Sequence, residues 1–271
     1  MNDSPIFLRW AGGKRWLVKQ MLELTASLQI NNYHEPFLGG GAVFFGLNPL
    51  NSSYLSDINP ELVNAYIQVR DNPDLVIDTI MRYENTEEDY YRVRSLRTDN
   101  PSQRAGNFIF LNQTSFNGIY RVNKNGVYNV PYGNRKKWHF SPEIIREASL
   151  RLKKTTINCF DFENSLSLIR ENDFVFLDPP YAVPKNEGGF LKYNAKLFSI
   201  NDQERLARFV DVIEKKHAFY VLTNAAHPQI ESLFKKNNLR VVRRPNLVGG
   251  KNAVRNVIEE YMFTNIEEPV K

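Results

Sequence analysis

The sequence predicts an α/β fold with a Rossmann-like mixed sheet, mostly parallel with an antiparallel last strand, and a largely helical insertion that carries a β-hairpin. Three observations predict it. Short apolar runs alternate with amphipathic segments, a glycine run follows a short strand near Glu35, and the apolar run Phe174–Leu177 stops at two prolines. That stop places Asp178 just beyond the carboxyl end of a strand, where open α/β sheets carry their chemistry.

Composition restricts the class of protein. The 271 residues can form one large core, or one core with a smaller lobe, and 42% hydrophobic residues are ordinary for a globular chain. No apolar run approaches the roughly 18 residues of a membrane span, and the amino terminus lacks the apolar core of a signal peptide, so we expect a cytoplasmic protein. The single cysteine, Cys159, and the scattered histidines lack metal-ligand spacing, so no metal is expected.

Two glycine-containing motifs near the amino terminus suggest a ligand site. WAGGK at residues 10–14 precedes an amphipathic segment over residues 15–28, and it predicts either a turn into a helix or a loop that closes over a small charged ligand. EPFLGGG at residues 35–41 joins a strand to a helix and lets a ligand approach the backbone. Asp57 ends the second strand, where an acidic side chain commonly binds ribose hydroxyls, although it could cap the helix that begins at Pro60.

A long insertion, residues 72–154, separates the second predicted strand from the third and is too long for an ordinary crossover. Helical patterns cover residues 60–97 and 102–111. Residues 115–133 contain Asn-Gly twice between β-forming residues, which predicts a β-hairpin or paired loops. Residues 104–154 hold ten Lys or Arg against two Glu. This charge favours a nucleic-acid partner over a merely solvated basic face.

The second half of the chain resumes the alternation of strands and helices. Residues 155–162 predict a strand that ends in Asp161 and Phe162, a pair that could bind and cover an adenine ring, although Asp161 could equally cap the next helix over residues 163–170. Residues 182–198 predict a loop over the site. A helix over residues 201–216, a fifth strand, another helix and an antiparallel terminal pair of strands complete the fold.

DPPY at residues 178–181 is the motif on which the functional interpretation depends. The Asp178 carboxylate and the Pro179 carbonyl can accept hydrogen bonds from the exocyclic NH₂ of a nucleobase, while Tyr181 stacks on its ring. Pro180, together with Pro179, prevents the strand from continuing. The alternative is an ordinary strand end with a capping Asp and a buried Tyr.

Six motifs taken in order resemble the Dam/DpnM-like family of DNA adenine-N6 methyltransferases, the alpha-ordered class. They are WAGGK, EPFLGGG, SDIN, the NGIYR region with NVPYG, DF and DPPY. The resemblance implies a bacterial or phage enzyme that transfers a methyl group from S-adenosyl-L-methionine to a flipped adenine in double-stranded DNA, within GATC or a related site. It implies a catalytic domain of residues 1–71 and 155–271, and a target-recognition domain of residues 72–154. A restriction endonuclease acting on the same site would be a functional partner.

The resemblance also assigns roles to residues at matching motif positions. Trp10 and Lys14 would line the methionine end of the donor, Asp57 would bind its ribose, and Asp161 with Phe162 would bind its adenine. The candidate cofactor-binding residues are Trp10, Lys14, Glu35, Pro36, Phe37, Gly39, Gly41, Asp57, Asp161, Phe162 and Asp178, and the candidate catalytic residues are Asp178, Pro179, Pro180 and Tyr181. The candidate DNA-binding residues are Arg9, Phe116, Asn117, Ile119, Arg121, Asn123, Lys124, Pro131, Arg135, Lys136, Lys137 and Lys251.

Two departures from the family pattern bear on the target sequence. Arg9 stands where Dam has Lys, and Phe116 stands where Dam has Tyr. Two other functions stay open at this point: methylation of an amino group in RNA or another planar substrate, and a DNA-binding protein built on an inactive methyltransferase frame.

Overall fold

A computed structural model describes residues 4–124, 126–135, 140–181, 198–234, 238–245 and 257–267. The chain forms two compact units. The first unit comprises Met1–Val18, Leu38–Leu50 and Asp57–Cys159. The second unit comprises Lys19–Phe37, Asn51–Ser56 and Phe160–Lys271. The predicted functional boundaries at residues 72 and 154 stay a prediction.

The described residues form a seven-stranded mixed sheet. Its strands are β1 (Tyr33–Glu35), β2 (Ser53–Asp57), β3 (Thr155–Cys159), β4 (Phe174–Leu177), β5 (Phe219–Ala225), β6 (Asn238–Pro245) and β7 (Val257–Thr264). Within the second unit the order is β2-β1-β4-β5-β7-β6. β1 pairs in parallel with β2 and β4, and β4 pairs in parallel with β5. β7 runs antiparallel to both β5 and β6, so the predicted mostly parallel sheet with an antiparallel last strand is confirmed.

Helices account for most of the other described residues. The α-helices are α1 (Val18–Thr25), α2 (Ala42–Leu47), α3 (Pro60–Asp71), α4 (Pro73–Ile80), α5 (Glu87–Ser95), α6 (Pro101–Thr114), α7 (Pro142–Leu152), α8 (Ile200–Lys215) and α9 (Pro228–Leu233). Short 3₁₀ helices lie at Arg15–Leu17, Phe116–Gly118 and Phe162–Ser167. No helix in the described ranges is long and apolar enough to cross a membrane.

The helix starts follow from their sequences. Five of the helices begin with proline, whose missing N–H is no loss in the first turn. Asn59 and Asn100 cap α3 and α6 by accepting hydrogen bonds from backbone N–H groups of the first turn. Ser199 and Asp202 form a reciprocal capping box at the start of α8. These local signals explain why the helical patterns over residues 60–97 and 102–111 are confirmed as α3 to α6.

In the first unit, α6 packs against α3, α4 and α5. Most of its residues from Ala105 to Thr114 are buried. Gly106 permits the approach of α4, since a Cβ there would lie 2.6 Å from Thr79. Tyr90, Val93 and Phe110 form a further buried cluster.

In the second unit, the core lies on β4 and β5 and under α8. All four residues of β4 are buried, as expected for a central strand of a parallel sheet. Val175 and Leu177 share a cluster with Phe209, Tyr220 and Leu222. This packing fixes β4 in the core, and Asp178 directly follows its last residue.

The β-hairpin predicted over residues 115–133 is not a regular ladder in the described residues. Only two isolated antiparallel bridges occur there, Ser115 with Tyr132 and Val122 with Tyr128. Side chains take hydrogen bonds that a ladder would need: the Asn123 side chain accepts from the Val127 N–H at 3.0 Å. The alternative of paired loops is therefore correct.

Two predicted helices are shorter than expected. The segment over residues 15–28 begins as 3₁₀ helix and continues as α1 only to Thr25. The segment over residues 163–170 is a 3₁₀ helix, Phe162–Ser167, whose first turn is capped by Asp161. Residues 182–197, which include most of the predicted loop over the site, lie outside the described residues.

Candidate active site

Asp178 is held at the end of β4 by the neighbouring strand. The parallel register aligns Leu177 with Leu222, so the next residues, Asp178 and Thr223, meet side by side. The Thr223 hydroxyl donates to Asp178 Oδ1 at 2.8 Å. Thr223 is fully buried, whereas Asp178 is half-buried. The carboxylate is thus oriented by a group inside the core while part of its surface stays accessible.

Tyr181, at the end of the DPPY motif, is anchored through its hydroxyl. That hydroxyl donates to Glu260 Oε2 at 2.8 Å. Burial, together with the negative charges of Asp178 and Glu260, raises the pKa of Tyr181 well above its usual value of 10.0. The phenol therefore keeps its proton and acts as a donor, and its half-buried ring lies two residues beyond the buried Pro179.

A charged cluster surrounds Asp161. Asp161 Oδ1 accepts from the Glu163 backbone N–H at 3.1 Å and from Arg205 at 2.6 Å. Arg205 also bonds Glu163 at 2.8 Å and Asp202 at 2.9 Å. Its guanidinium lies 4.9 Å from the centre of the Phe162 ring. Asp161 is therefore a helix cap, as one of the two interpretations of the sequence proposed. It also forms an ion pair with Arg205.

The aromatic residues beside this cluster differ in accessibility. Phe162 is only 4% exposed and packs in the core of the second unit. Phe37 is half-buried and stacks on Phe162 with ring centres 5.2 Å apart. Contact between Phe162 and an adenine ring stays a prediction, and Phe37 offers the more accessible ring.

The first two residues of the EPFLGGG motif, Glu35 and Pro36, lie inside the second unit. Glu35 is buried and accepts a hydrogen bond from the Tyr33 hydroxyl at 2.7 Å. Pro36 is also buried. Burial, with a further contribution from Glu35, raises the pKa of Tyr33 well above its usual value. Glu35 and Pro36 therefore hold the backbone that leads to Phe37.

In the first unit, Asp57 bonds the glycine loop, residues 39–41. Its oxygens accept from the Gly39 N–H at 3.1 Å and the Asn59 N–H at 2.9 Å. Asn59, and not Asp57, caps α3, so the capping alternative for Asp57 is wrong. Burial raises the pKa of Asp57 although the backbone N–H groups of Asn59, Gly39 and Ile58 lower it.

The glycine loop needs its glycines. Gly39 and Gly41 have φ of 47° and 62°, in the left-handed region. A Cβ at Gly39 would lie 2.8 Å from the Trp10 ring, and one at Gly41 would lie 2.7 Å from the Tyr66 hydroxyl. The Tyr66 hydroxyl also donates to the Gly39 carbonyl at 3.1 Å. Trp10 and the loop therefore form a close-packed group beside Asp57.

The WAGGK segment turns back on itself. The buried Lys14 ammonium donates to the Gly12 carbonyl at 2.9 Å, and Gly12 has φ of 83°. Trp10 stacks on Tyr120 with ring centres 5.8 Å apart. This arrangement joins the amino-terminal motif to the paired loops that carry the candidate DNA-binding residues.

Several candidate DNA-binding residues lie at an exposed turn. Asn117 and Gly118 both have positive φ, at 56° and 64°, and form a tight turn after Phe116. Phe116 is 49% exposed. Asn117 is exposed beside it, and Ile119 is half-buried. A solvent-exposed aromatic ring at the tip of a turn is a group that can enter a base stack.

The remaining candidates differ in accessibility. Asn123, Lys124 and Pro131 are exposed. Arg121 is exposed and donates to the Asn129 side chain at 2.8 Å. Arg135 is half-buried and donates to a main-chain carbonyl. Lys136, Lys137 and Lys251 lie outside the described residues.

Arg9 lies beneath the exposed turn. Its backbone N–H and carbonyl both bond the Asn112 side chain at 2.8 Å. A Cβ at Gly118 would lie 2.5 Å from the Arg9 Cβ. Burial, and then the charge of Arg135, lower the pKa of Arg9. Arg9 therefore supports the turn that carries Phe116 and Asn117.

Three side chains at the site escaped the sequence reasoning: Thr223, Glu260 and Arg205. Each lies far along the chain from the motif residue that it contacts. Thr223 lies inside β5 and Glu260 inside β7, and neither has a local sequence signal that links it to DPPY. Arg205 lies in an amphipathic helix and likewise has no such signal.

This arrangement, an acceptor-rich strand end with an adjacent tyrosine, matches one class of enzyme. A family model described as D12 class N6 adenine-specific DNA methyltransferase matches residues 10–245. The chain belongs to this family and is an adenine-specific DNA methyltransferase. The resemblance inferred from the six motifs is thereby confirmed.

Relatives span nearly the whole chain. The type II methyltransferase M1.LlaDCHI of Lactococcus lactis subsp. cremoris is 35% identical, covering 98% of this chain and 96% of that protein. The type II methyltransferase M.MjaIII of Methanocaldococcus jannaschii is 37% identical over 83% of this chain and 85% of its own. The DNA adenine methylase of Escherichia coli K12 is 28% identical over 97% and 95%.

Proposed function

We propose that this enzyme transfers a methyl group from S-adenosyl-L-methionine to N6 of an adenine that has left the stack of duplex DNA, within GATC or a related site. One observation carries the proposal. Asp178 is fixed by Thr223 at the end of β4, and it is followed by Pro179, which offers a carbonyl and no N–H. Two acceptors and no backbone donor suit an exocyclic amine.

The chemistry follows from these acceptors. Asp178 and the Pro179 carbonyl accept hydrogen bonds from the two N6 protons, which draws the nitrogen lone pair away from the ring. Bound S-adenosyl-L-methionine supplies an electrophilic methyl carbon on its sulfonium sulfur. The N6–CH₃ bond forms as the S–CH₃ bond breaks, the electron pair stays on sulfur, and N6 then releases one proton to solvent. Alignment and fixed dipoles can supply several kcal/mol of such a barrier.

Each unit contains groups that fit the donor. In the first unit, the half-buried Asp57 carboxylate beside the Gly39 backbone suits ribose hydroxyls, which donate to carboxylates. In the second unit, Asp161 is a half-buried acceptor beside the accessible ring of Phe37. An acceptor next to a ring suits the amine and face of the donor's adenine.

DNA recognition is assigned to residues 72–154. The exposed Phe116 at a tight turn can fill the gap that a displaced base leaves, while Arg121 and Lys124 contact base edges or phosphates. The relatives named as type II methyltransferases support a restriction endonuclease that cleaves the same site.

The test is the variant Asp178→Ala. We expect it to lose almost all transfer of labelled methyl groups to unmethylated DNA, and to preserve binding of S-adenosyl-L-methionine in calorimetry far better than turnover. Asp74→Ala is the control, because the Asp74 side chain is 76% exposed and forms an ion pair with Arg146 at 3.4 Å. Undiminished transfer by Asp178→Ala would refute the assignment.

A further inference from the structure

Glu260 is a buried carboxylate that the methyl-transfer mechanism does not use. It is 1% exposed and lies on β7, between the neighbouring strands β5 and β6. Burying a carboxylate carries a large desolvation cost, so such groups have specific polar partners. One partner of Glu260 is a residue of the DPPY motif.

That partner is Tyr181, whose hydroxyl donates to Glu260 Oε2 at 2.8 Å. The strand register explains the contact, since Glu260 pairs with Ala225, two residues beyond Thr223 on β5. Thr223 in turn bonds Asp178. The two functional side chains of DPPY are therefore each anchored by a buried polar group of the last strands of the sheet.

The proposed role of Tyr181 is to stack on the extrahelical adenine, and stacking requires a defined ring plane. A tyrosine held only by its own backbone can rotate about two side-chain bonds, and fixing them on binding loses entropy. A charge-assisted hydrogen bond at the far end of the ring fixes the hydroxyl and therefore the ring axis. Because a phenolic O–H lies in the plane of its ring, the bond also favours the ring plane that contains the Glu260 acceptor.

We propose that Glu260 is a positioning residue that acts through the Tyr181 hydroxyl to hold the ring for the target base. The inference rests on the proposed function, because it requires that Tyr181 receives an adenine. It predicts that Glu260 contributes to capture and methylation of the base and not to binding of the methyl donor.

A double-mutant cycle tests this. The variants are Glu260→Gln, Tyr181→Phe, which keeps the ring and removes the hydroxyl, and the combination of both. We expect each single variant to lower kcat/KM for unmethylated DNA roughly 10- to 100-fold, as expected for a lost hydrogen bond to a charged group. The combined variant should be no worse than Tyr181→Phe, since Glu260 acts through the hydroxyl that this substitution already removes.

Glu259→Gln is the matched control, because Glu259 is the preceding residue of β7 but is exposed and paired with Arg243. It should keep wild-type kcat/KM. Calorimetry should give the same Kd for S-adenosyl-L-methionine in every variant, which a general loss of structure would not.

Losses that multiply in the combined variant would overturn the inference, as would wild-type kcat/KM in either single variant or a donor Kd that rises with the loss of activity. If Glu260→Gln does not fold, Tyr181→Phe decides alone: a kcat/KM equal to wild type overturns the inference. Failure of the proposed function is separate, because the wild-type enzyme would then place no methyl group on adenine.

Discussion

Replacing Thr223 by valine removes a hydroxyl that donates to Asp178 Oδ1 at 2.8 Å. Thr223 is fully buried, and valine has nearly the same shape. The substitution therefore deletes a donor while leaving the packing of β5 almost unchanged, and a buried position gives water little access to replace the lost bond.

The magnitude follows from the charge on the acceptor. A hydrogen bond to a charged group contributes about 1.5–3 kcal/mol. Each 1.36 kcal/mol of barrier is about tenfold in rate. If the bond orients Asp178 for the adenine amine, Thr223→Val should lower the rate of methyl transfer about 10- to 100-fold, with little change in donor affinity.

The assay is single-turnover transfer from labelled S-adenosyl-L-methionine, with enzyme in excess over unmethylated DNA. Thr264→Val is the matched control, since Thr264 is also buried but bonds the main-chain carbonyl of Tyr220 at 2.6 Å. The control should lose stability and keep its rate. A wild-type rate in Thr223→Val would show that the orientation of Asp178 does not depend on this bond.

Three further predictions concern the groups around the site. Arg205→Ala should raise the Kd for S-adenosyl-L-methionine about tenfold in calorimetry, because Asp161 loses its 2.6 Å partner; an unchanged Kd would contradict the role of Asp161. Burial raises the pKa of Asp173, but hydrogen bonds from His34 and others lower it overall from 3.8, so its stabilisation is lost as pH falls below about 4. Denaturant titrations of Asp173→Asn should therefore show a flatter acid dependence than wild type. Gly41→Ala should lower the free energy of unfolding by about 1–3 kcal/mol in urea titrations, because its φ of 62° is left-handed and a Cβ would meet a tyrosine hydroxyl at 2.7 Å.

The end of β4 could be predicted from the sequence because its causes are local. Phe174–Leu177 is an apolar run, and the two prolines after it cannot continue a ladder. The antiparallel last strand was predictable for the same reason, as two β-forming runs joined by a short segment pair most simply with each other. Both features were confirmed.

The supports of the site depend on long-range contacts and were not predictable. Glu260 is separated by 79 residues from Tyr181, and nothing in the run EEYMF tells which of the two glutamates faces the core. Arg205 lies on an amphipathic helix whose polar face looks solvated in sequence, and its partner Asp161 is 44 residues away. Such pairs become visible only when the strand order is known.

The regular β-hairpin predicted over residues 115–133 did not form, for a different physical reason. Asn-Gly at residues 117–118 does form a turn with two positive φ angles, as the dipeptide predicts. Further along, Asn123 and Asn129 donate backbone N–H groups to the carbonyls of Val127 and Arg121, respectively. The Val127 N–H and the Asn129 carbonyl, however, bond the side chains of Asn123 and Arg121, so no regular ladder develops. Side-chain competition for backbone groups is not encoded in the alternation of residues.

The most direct measurement of the central claim is the position of the methyl group in the product. Unmethylated DNA is incubated with labelled S-adenosyl-L-methionine, digested to nucleosides and separated, for the wild-type enzyme and for Asp178→Ala. We expect label only in N6-methyl-2′-deoxyadenosine for the wild type, and none above background for the variant. Label on cytosine, or equal label with and without the Asp178 carboxylate, would contradict it.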